Sequence, residues 1–157
     1  MAESDWRRGE FRITTDHSKF DLDAIYRFLA RQSEWAKDIP RSTFDKSVRY
    51  SLCFGLLQKD RQVGFARVIS DCATIAYLGD VFVLPEYRGR GLAKWLMECI
   101  SSHPDLQNLR RWILVTEDAH GLYRKYGFTD LAHPEGFMER HNPAVYSPAE
   151  AGSDSAG

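Results

Sequence analysis

The sequence predicts an α/β domain, of the mixed α+β kind, in which a central, mostly antiparallel, twisted sheet of about six to seven strands is flanked by about four helices. The predicted order is β-α-α-β-β-β-α-β-α-β-β. Three observations carry this prediction. Between Tyr50 and Leu84 three strand-like runs follow one another across short polar turns, as in an antiparallel meander. Apolar residues at helical spacing stand before the meander (Leu22, Ile25, Tyr26, Leu29) and after it (Leu92, Trp95, Leu96, Cys99, Ile100). A glycine-rich turn, Arg88-Gly89-Arg90-Gly91, feeds the third run straight into the second of these helices.

In chain order, the alternation over 11–14 predicts a half-buried strand, and Asp16 to Ser18 supply turn chemistry. A helix is expected over about 21–31, with Asp21 and Asp23 at the end where negative charge suits the helix dipole. Pro40 breaks the following stretch, which reads as a loop leading into a short helical turn near 43–47. Runs at 50–57 and 63–69 form a hairpin across the polar turn between them, and 74–84 adds the third strand. The next helix spans 91–102 and closes at His103-Pro104. A buried strand at 112–115, a short helix at 119–126 ended by Gly127, and final strands at 128–131 and 137–139 complete the list. One domain over 1–146 is expected, followed by a small, polar, disordered tail over 147–157.

A chain of 157 residues is long enough to bury roughly two thirds of its unfolded surface in one core. With 43% hydrophobic and 27% charged residues it has the balance of a folded domain. The formal net charge of −1 gives no reason to expect nucleic acid or anionic membrane as a partner, so any anion site must be local. No apolar run approaches the roughly 18 residues of a membrane helix, and the first ten residues lack the apolar core of a secretory signal. The expected location is the cytoplasm. Cys53, Cys72 and Cys99 form no CxxC pair and are read as reduced, Cys53 and Cys99 as small core residues; no metal site is expected.

The most informative stretch runs from Asp80 through Lys94: strand, glycine turn, helix. Without a Cβ, Gly89 and Gly91 let the backbone approach a ligand, and the unpaired amides that open the helix can donate to phosphate oxygens. Arg88, Arg90 and Lys94 add positive charge, so an anionic diphosphate is the natural guest. A P-loop is excluded by the spelling, and a dinucleotide fingerprint would need glycine where Lys94 stands. The competing explanation is a βα connection that needs glycine only for its turn.

The string Val83-x-Pro-Glu-Tyr-Arg88-Gly89-x-Gly91-Leu92-Ala93 resembles the acyl-CoA signature of the GNAT superfamily of N-acyltransferases. A second stretch, Ala119-His-Gly-Leu-Tyr123-Arg-Lys-Tyr-Gly-Phe128, is similar to that superfamily's motif on the following helix. The resemblance covers about residues 10–140. It implies acetyl-CoA as cosubstrate, contacted by Phe82, Val83, Arg88, Gly89, Arg90, Gly91, Leu92, Ala93, Lys94, Thr116, Asp118 and Tyr123. Where the superfamily often has asparagine, this chain has Thr116, whose hydroxyl can still hydrogen-bond the pantetheine arm.

The same resemblance implies transfer of an acetyl group to a primary amine of a small molecule or peptide, by direct attack in a ternary complex. Tyr123 takes the place of the general acid that protonates the departing thiol. The amide of Val83 is the expected oxyanion donor. Asp80 is one candidate base, and Glu117, Asp118 and His120 are others. Trp35, Ile39, Phe54 and Tyr77 are expected to line the acceptor pocket, which implies an acceptor with an apolar or aromatic part. A noncatalytic acyl-CoA sensor and a protein-interaction domain are the competing functions. The sequence leaves open the acceptor's identity, the acyl preference and the oligomeric state, a homodimer included.

Overall fold

A computed structural model describes residues 3–147; all but the first residue of the expected polar tail lie outside the described residues. Six strands form one sheet in sequence order: β1 (Asp5–Arg8), β2 (Phe11–Thr14), β3 (Leu52–Gln58), β4 (Arg61–Ser70), β5 (Ile75–Val83) and β6 (Arg111–Leu114). Every neighbouring pair is antiparallel except β5 with β6. Four α-helices accompany it: α1 (Leu22–Arg31), α2 (Arg41–Arg49), α3 (Leu92–Ser102) and α4 (His120–Arg124). The architecture is the predicted mixed α/β one.

Local chemistry accounts for the elements. Asp21 caps α1 by accepting from the Ala24 N–H, and the helix buries Ile25, Phe28 and Leu29 on one stripe. The β4–β5 turn is built on Asp71, which accepts from the amides of Ala73, Thr74 and Ile75 and from the Thr74 hydroxyl. Those bonds hold its carboxyl well below the usual range. The two sheet faces carry separate cores. Ala66, Val68, Leu78 and Val83 pack with Trp95, Leu96 and Ile100 of α3 and with Tyr123 of α4. On the opposite face Phe65 and Phe82 pack with Ile25, Phe28 and Phe44 from α1 and α2.

Three expectations need correction. Strand β1 was not expected, because Asp5-Trp-Arg-Arg carries one apolar residue; Trp6 anchors it, 6.2 Å from the ring of Phe54, Arg8 lies over the Trp95 ring, and Arg12 reaches across the hairpin to Asp5. The short helical turn expected near 43–47 is a full helix, α2, with Pro40 at its N-cap. The final strands at 128–131 and 137–139 are not strands. That segment is irregular around a 3-10 turn at Pro134–Gly136, with Leu131 and Met138 exposed, and its Pro and Gly suit turns better than ladders.

Candidate active site

The parallel pairing of β5 with β6 stops at Leu78 opposite Leu114, and the two strands separate beyond it. At that point β5 is also irregular. Between the pairs Arg67–Gly79 and Phe65–Phe82, Ala66 of β4 faces both Asp80 and Val81, and Asp80 takes a positive φ of 52°. Past this bulge the main chain turns predictably. The Leu84 N–H donates to the Val63 carbonyl, so alternation points the amides and carbonyls of Val83 and Val81 away from β4 and into the gap. The Val83 carbonyl is found there, accepting from Arg88 Nε at 2.9 Å. Val81, absent from the expected site, was legible: it stands two residues before Val83 on the same edge.

Directly after β5 comes the glycine turn. Gly89 and Gly91 have φ of 79° and 76°, in the left-handed region, and a Cβ at either would meet open space. Gly91 caps α3 with no side-chain hydrogen bond, leaving the amides of Leu92, Ala93 and Lys94 free of a side-chain cap. Arg90 lies over the Tyr87 ring, 5.1 Å from its centroid. Lys125, at the end of α4, lies against Lys94, and repulsion between the two ammonium groups lowers the Lys125 pKa. Tyr126 donates its hydroxyl to the Lys94 carbonyl at 2.9 Å, which fastens α4 to α3. Free amides, open space over two left-handed glycines and a crowded lysine pair suit an anionic diphosphate such as that of coenzyme A.

Tyr123 is buried on α4, its ring edge-on to Phe128. Burial, and then the charge of Asp118, raise its pKa, so the phenol keeps its proton at neutral pH. Thr116 accepts from the Ala119 N–H at 3.1 Å and so opens α4, while Asp118 is exposed and caps nothing. A cavity of about 780 Å³ is lined by Tyr77, Ile113, Val115, Thr116, His120 and Tyr123, among others, and runs round the end of β6. Asp80 is fully engaged: Arg67 Nε donates to Oδ2 at 2.7 Å and Trp35 Nε1 to Oδ1 at 2.8 Å.

The structure brings most of the expected residues together and leaves some apart. Val83, Leu92 and Tyr123 share one packed cluster, with Ala93 against it, and Thr116 and Tyr123 line the cavity at β6. Phe82 does not reach it: the ring stacks on Phe28 at 3.9 Å, and its main-chain groups face β4. Of the expected acceptor wall, Trp35 and Tyr77 are exposed. Ile39 is buried under α1, and Phe54 is fully buried against Trp6 and His103 on the α3 face. Arg67 was missed because a strand arginine reads as solvent-facing until its register opposite the bulge is known. Cys53 and Cys99 are buried, and burial pushes both thiols up to about 12, which makes them inert packing residues.

The chain is similar to known acetyltransferases in sequence and in fold. The sequence profile of the acetyltransferase (GNAT) domain matches residues 49–130. A Gibberella zeae protein named as an acetyltransferase, FG08082, is 32% identical over 152 residues, covering 83% of this chain and 86% of its own. The crystal structure of a GNAT-family protein of Xanthomonas campestris, described as an acetyltransferase, is 55% identical and superposes with a TM-score of 0.85, covering 87% of this chain and 96% of that one. A Clostridium acetobutylicum protein described as an acetyltransferase, solved with acetyl-CoA, shares the fold at 16% identity, with a TM-score of 0.60 over 83% of this chain and 94% of its own. The protein is an acyltransferase enzyme by class. The chain belongs to the GNAT acetyltransferase family.

Proposed function

We propose that this protein is an N-acetyltransferase that uses acetyl-CoA to acetylate a primary amine of a small molecule or peptide within a ternary complex. One observation carries the reading: β5 and β6 part beside a left-handed glycine turn, and Tyr123 packs in one cluster with Val83 before that turn and Leu92 after it. Leu92, Ala93 and Lys94 would offer amides to the diphosphate, and Arg88, Arg90, Lys94 and Lys125 the compensating charge. Thr116 keeps a hydroxyl proton to give to the pantetheine arm. The amides of Val83 and Val81 are set to donate to the carbonyl oxygen as it gains charge.

When bound, the thioester supplies an electrophilic carbonyl whose C–S bond breaks as a C–N bond to the amine forms. The charged amine sheds one proton to solvent before attack, and the second proton it loses balances the one Tyr123 gives up at its hydroxyl. A phenol of pKa about 10 donating to a thiolate of about 8.5 is uphill by about 2 kcal/mol, and burial of Tyr123 steepens that step. The donation is therefore coupled to the amine's proton loss. Asp80, bonded through both oxygens, acts through water or as an anchor for the amine rather than as a free base. The absence among the described residues of any helix fit to cross a membrane is in keeping with a cytoplasmic enzyme.

Thiol release from acetyl-CoA, measured with a panel of amines for wild type and Tyr123→Phe, tests the reading. The phenol's loss should lower kcat by about 100-fold or more, the usual contribution of a positioned acid, with acetyl-CoA affinity kept. Binding of acetyl-CoA without turnover on any amine would identify a sensor instead.

A further inference from the structure

On the sheet face opposite α3, three apolar side chains stand in direct cross-strand register: Ile69 of β4 opposite Tyr77 of β5, and Tyr77 opposite Ile113 of β6. The helices α1 and α2 cover the Phe65 and Phe82 end of this face and stop short of the row. Ile69 and Tyr77 are consequently 44% and 38% exposed, and Val115 at the end of β6 is 78% exposed. Gly79 follows Tyr77 on the same face, and a Cβ there would come within 3.3 Å of the Tyr77 ring, so the ring lies along β5 toward the bulge. The row thus runs into the carboxylate of Asp80. Tyr77 and Ile113 also line the cavity that reaches Tyr123.

The two oxygens of Asp80 differ in what holds them. Oδ2 belongs to Arg67, whose side chain is 17% exposed and whose other arm donates to Ser51 Oγ. Oδ1 takes only the neutral indole N–H of Trp35, a residue 55% exposed. Both bonds already have the carboxylate as acceptor, but an ammonium adds a direct charge–charge attraction to Asp80 that the neutral indole lacks. An ammonium group arriving over the apolar row can displace the indole without disturbing Arg67.

Resting on the acetyltransferase reading, we propose that this face binds the acceptor, a primary amine carried on an aromatic or apolar body. The body lies on Ile69, Tyr77 and Ile113, and its ammonium takes the place of the Trp35 indole at Asp80 Oδ1.

The test is calorimetric titration of 2-phenylethylamine, tryptamine and hexylamine, with ethylamine as the control, into wild type and Ile69→Lys. Ile69 is exposed, so its replacement leaves the fold intact, and the new cation repels the ligand. At least one of the three apolar amines should bind about 10-fold or more tightly than ethylamine, the effect of burying a ring-sized apolar group, and Ile69→Lys should remove that advantage. Binding no tighter than ethylamine, or an advantage that survives Ile69→Lys, overturns the assignment. So does sedimentation showing a wild-type dimer that Ile69→Lys dissociates, because a second copy would then cover the face. Acetyl-CoA titrated into the same samples separates the two failures: its binding in the absence of amine binding refutes this inference alone.

Discussion

The indole N–H of Trp35 donates to Asp80 Oδ1 at 2.8 Å, across 45 residues of sequence, and joins the loop after α1 to the bulge in β5. Arg67 completes the cluster from β4. The bulge is therefore held from two sides at the place where the sheet opens. That arrangement bears directly on stability, because Arg67 and Asp80 have side chains only 17% and 11% exposed.

Replacing Asp80 with Asn leaves the Arg67 charge half-buried and uncompensated. The expected cost is about 1–3 kcal/mol in denaturant unfolding. In a double-mutant cycle with Arg67→Met the coupling energy should be about 1 kcal/mol or more. Additive effects would show that the two side chains act independently.

Gly64 stands opposite Val83, and a Cβ there would sit 2.8 Å from the Phe82 carbonyl oxygen and 2.8 Å from Leu56 Cδ2. The carbonyl is main chain and cannot swing aside, so Gly64→Ala pushes β5 where the amide of Val83 must be placed. The expected loss is about 1–3 kcal/mol, accompanied by a fall in transfer rate. An unchanged melting temperature would contradict this.

His103 is fully buried, and its Nδ1 accepts from the Asp105 amide, which leaves Nε2 as the protonated nitrogen. Burial lowers its pKa below the ordinary 6.5. The unfolded chain then binds a proton that the folded chain refuses, so stability falls as pH drops below about 6.5, by up to about 1.4 kcal/mol per pH unit, until the folded pKa is reached. His103→Asn keeps a capping acceptor without the titration and should flatten the stability profile between pH 5 and 7. His17, also lowered by desolvation but exposed, accounts for the smaller remaining slope. A profile unaltered by His103→Asn would rule this histidine out.

Much of the fold was legible because its signals are local. The Asp21 cap, the 3.6-residue periodicity of α3 and the polar hairpin turns all act over a few residues, and each element stands within a few residues of its expected place. The glycine turn was legible for the same reason: two left-handed positions admit few residues besides glycine. What stayed hidden depends on register. Nothing in Asp-Trp-Arg-Arg says that Trp6 will find Phe54, and nothing near Arg67 says that it will face Asp80. Phe54 and Trp35 look alike in sequence as aromatic wall residues, yet one is fully buried and the other largely exposed, because strand alternation and the α1–α2 loop path decide which face each meets.

Gly91, with its φ of 76°, opens α3, and the proposed diphosphate site rests on it. Calorimetry of acetyl-CoA with wild type, Gly91→Ala and Gly91→Glu tests it most directly. Alanine adds only the left-handed strain of about 1–2 kcal/mol, whereas glutamate also puts a carboxylate where the phosphates sit. Wild type should bind, Gly91→Ala should bind more weakly, and Gly91→Glu should show no binding; equal affinity in the glutamate and alanine variants would contradict the placement of the coenzyme.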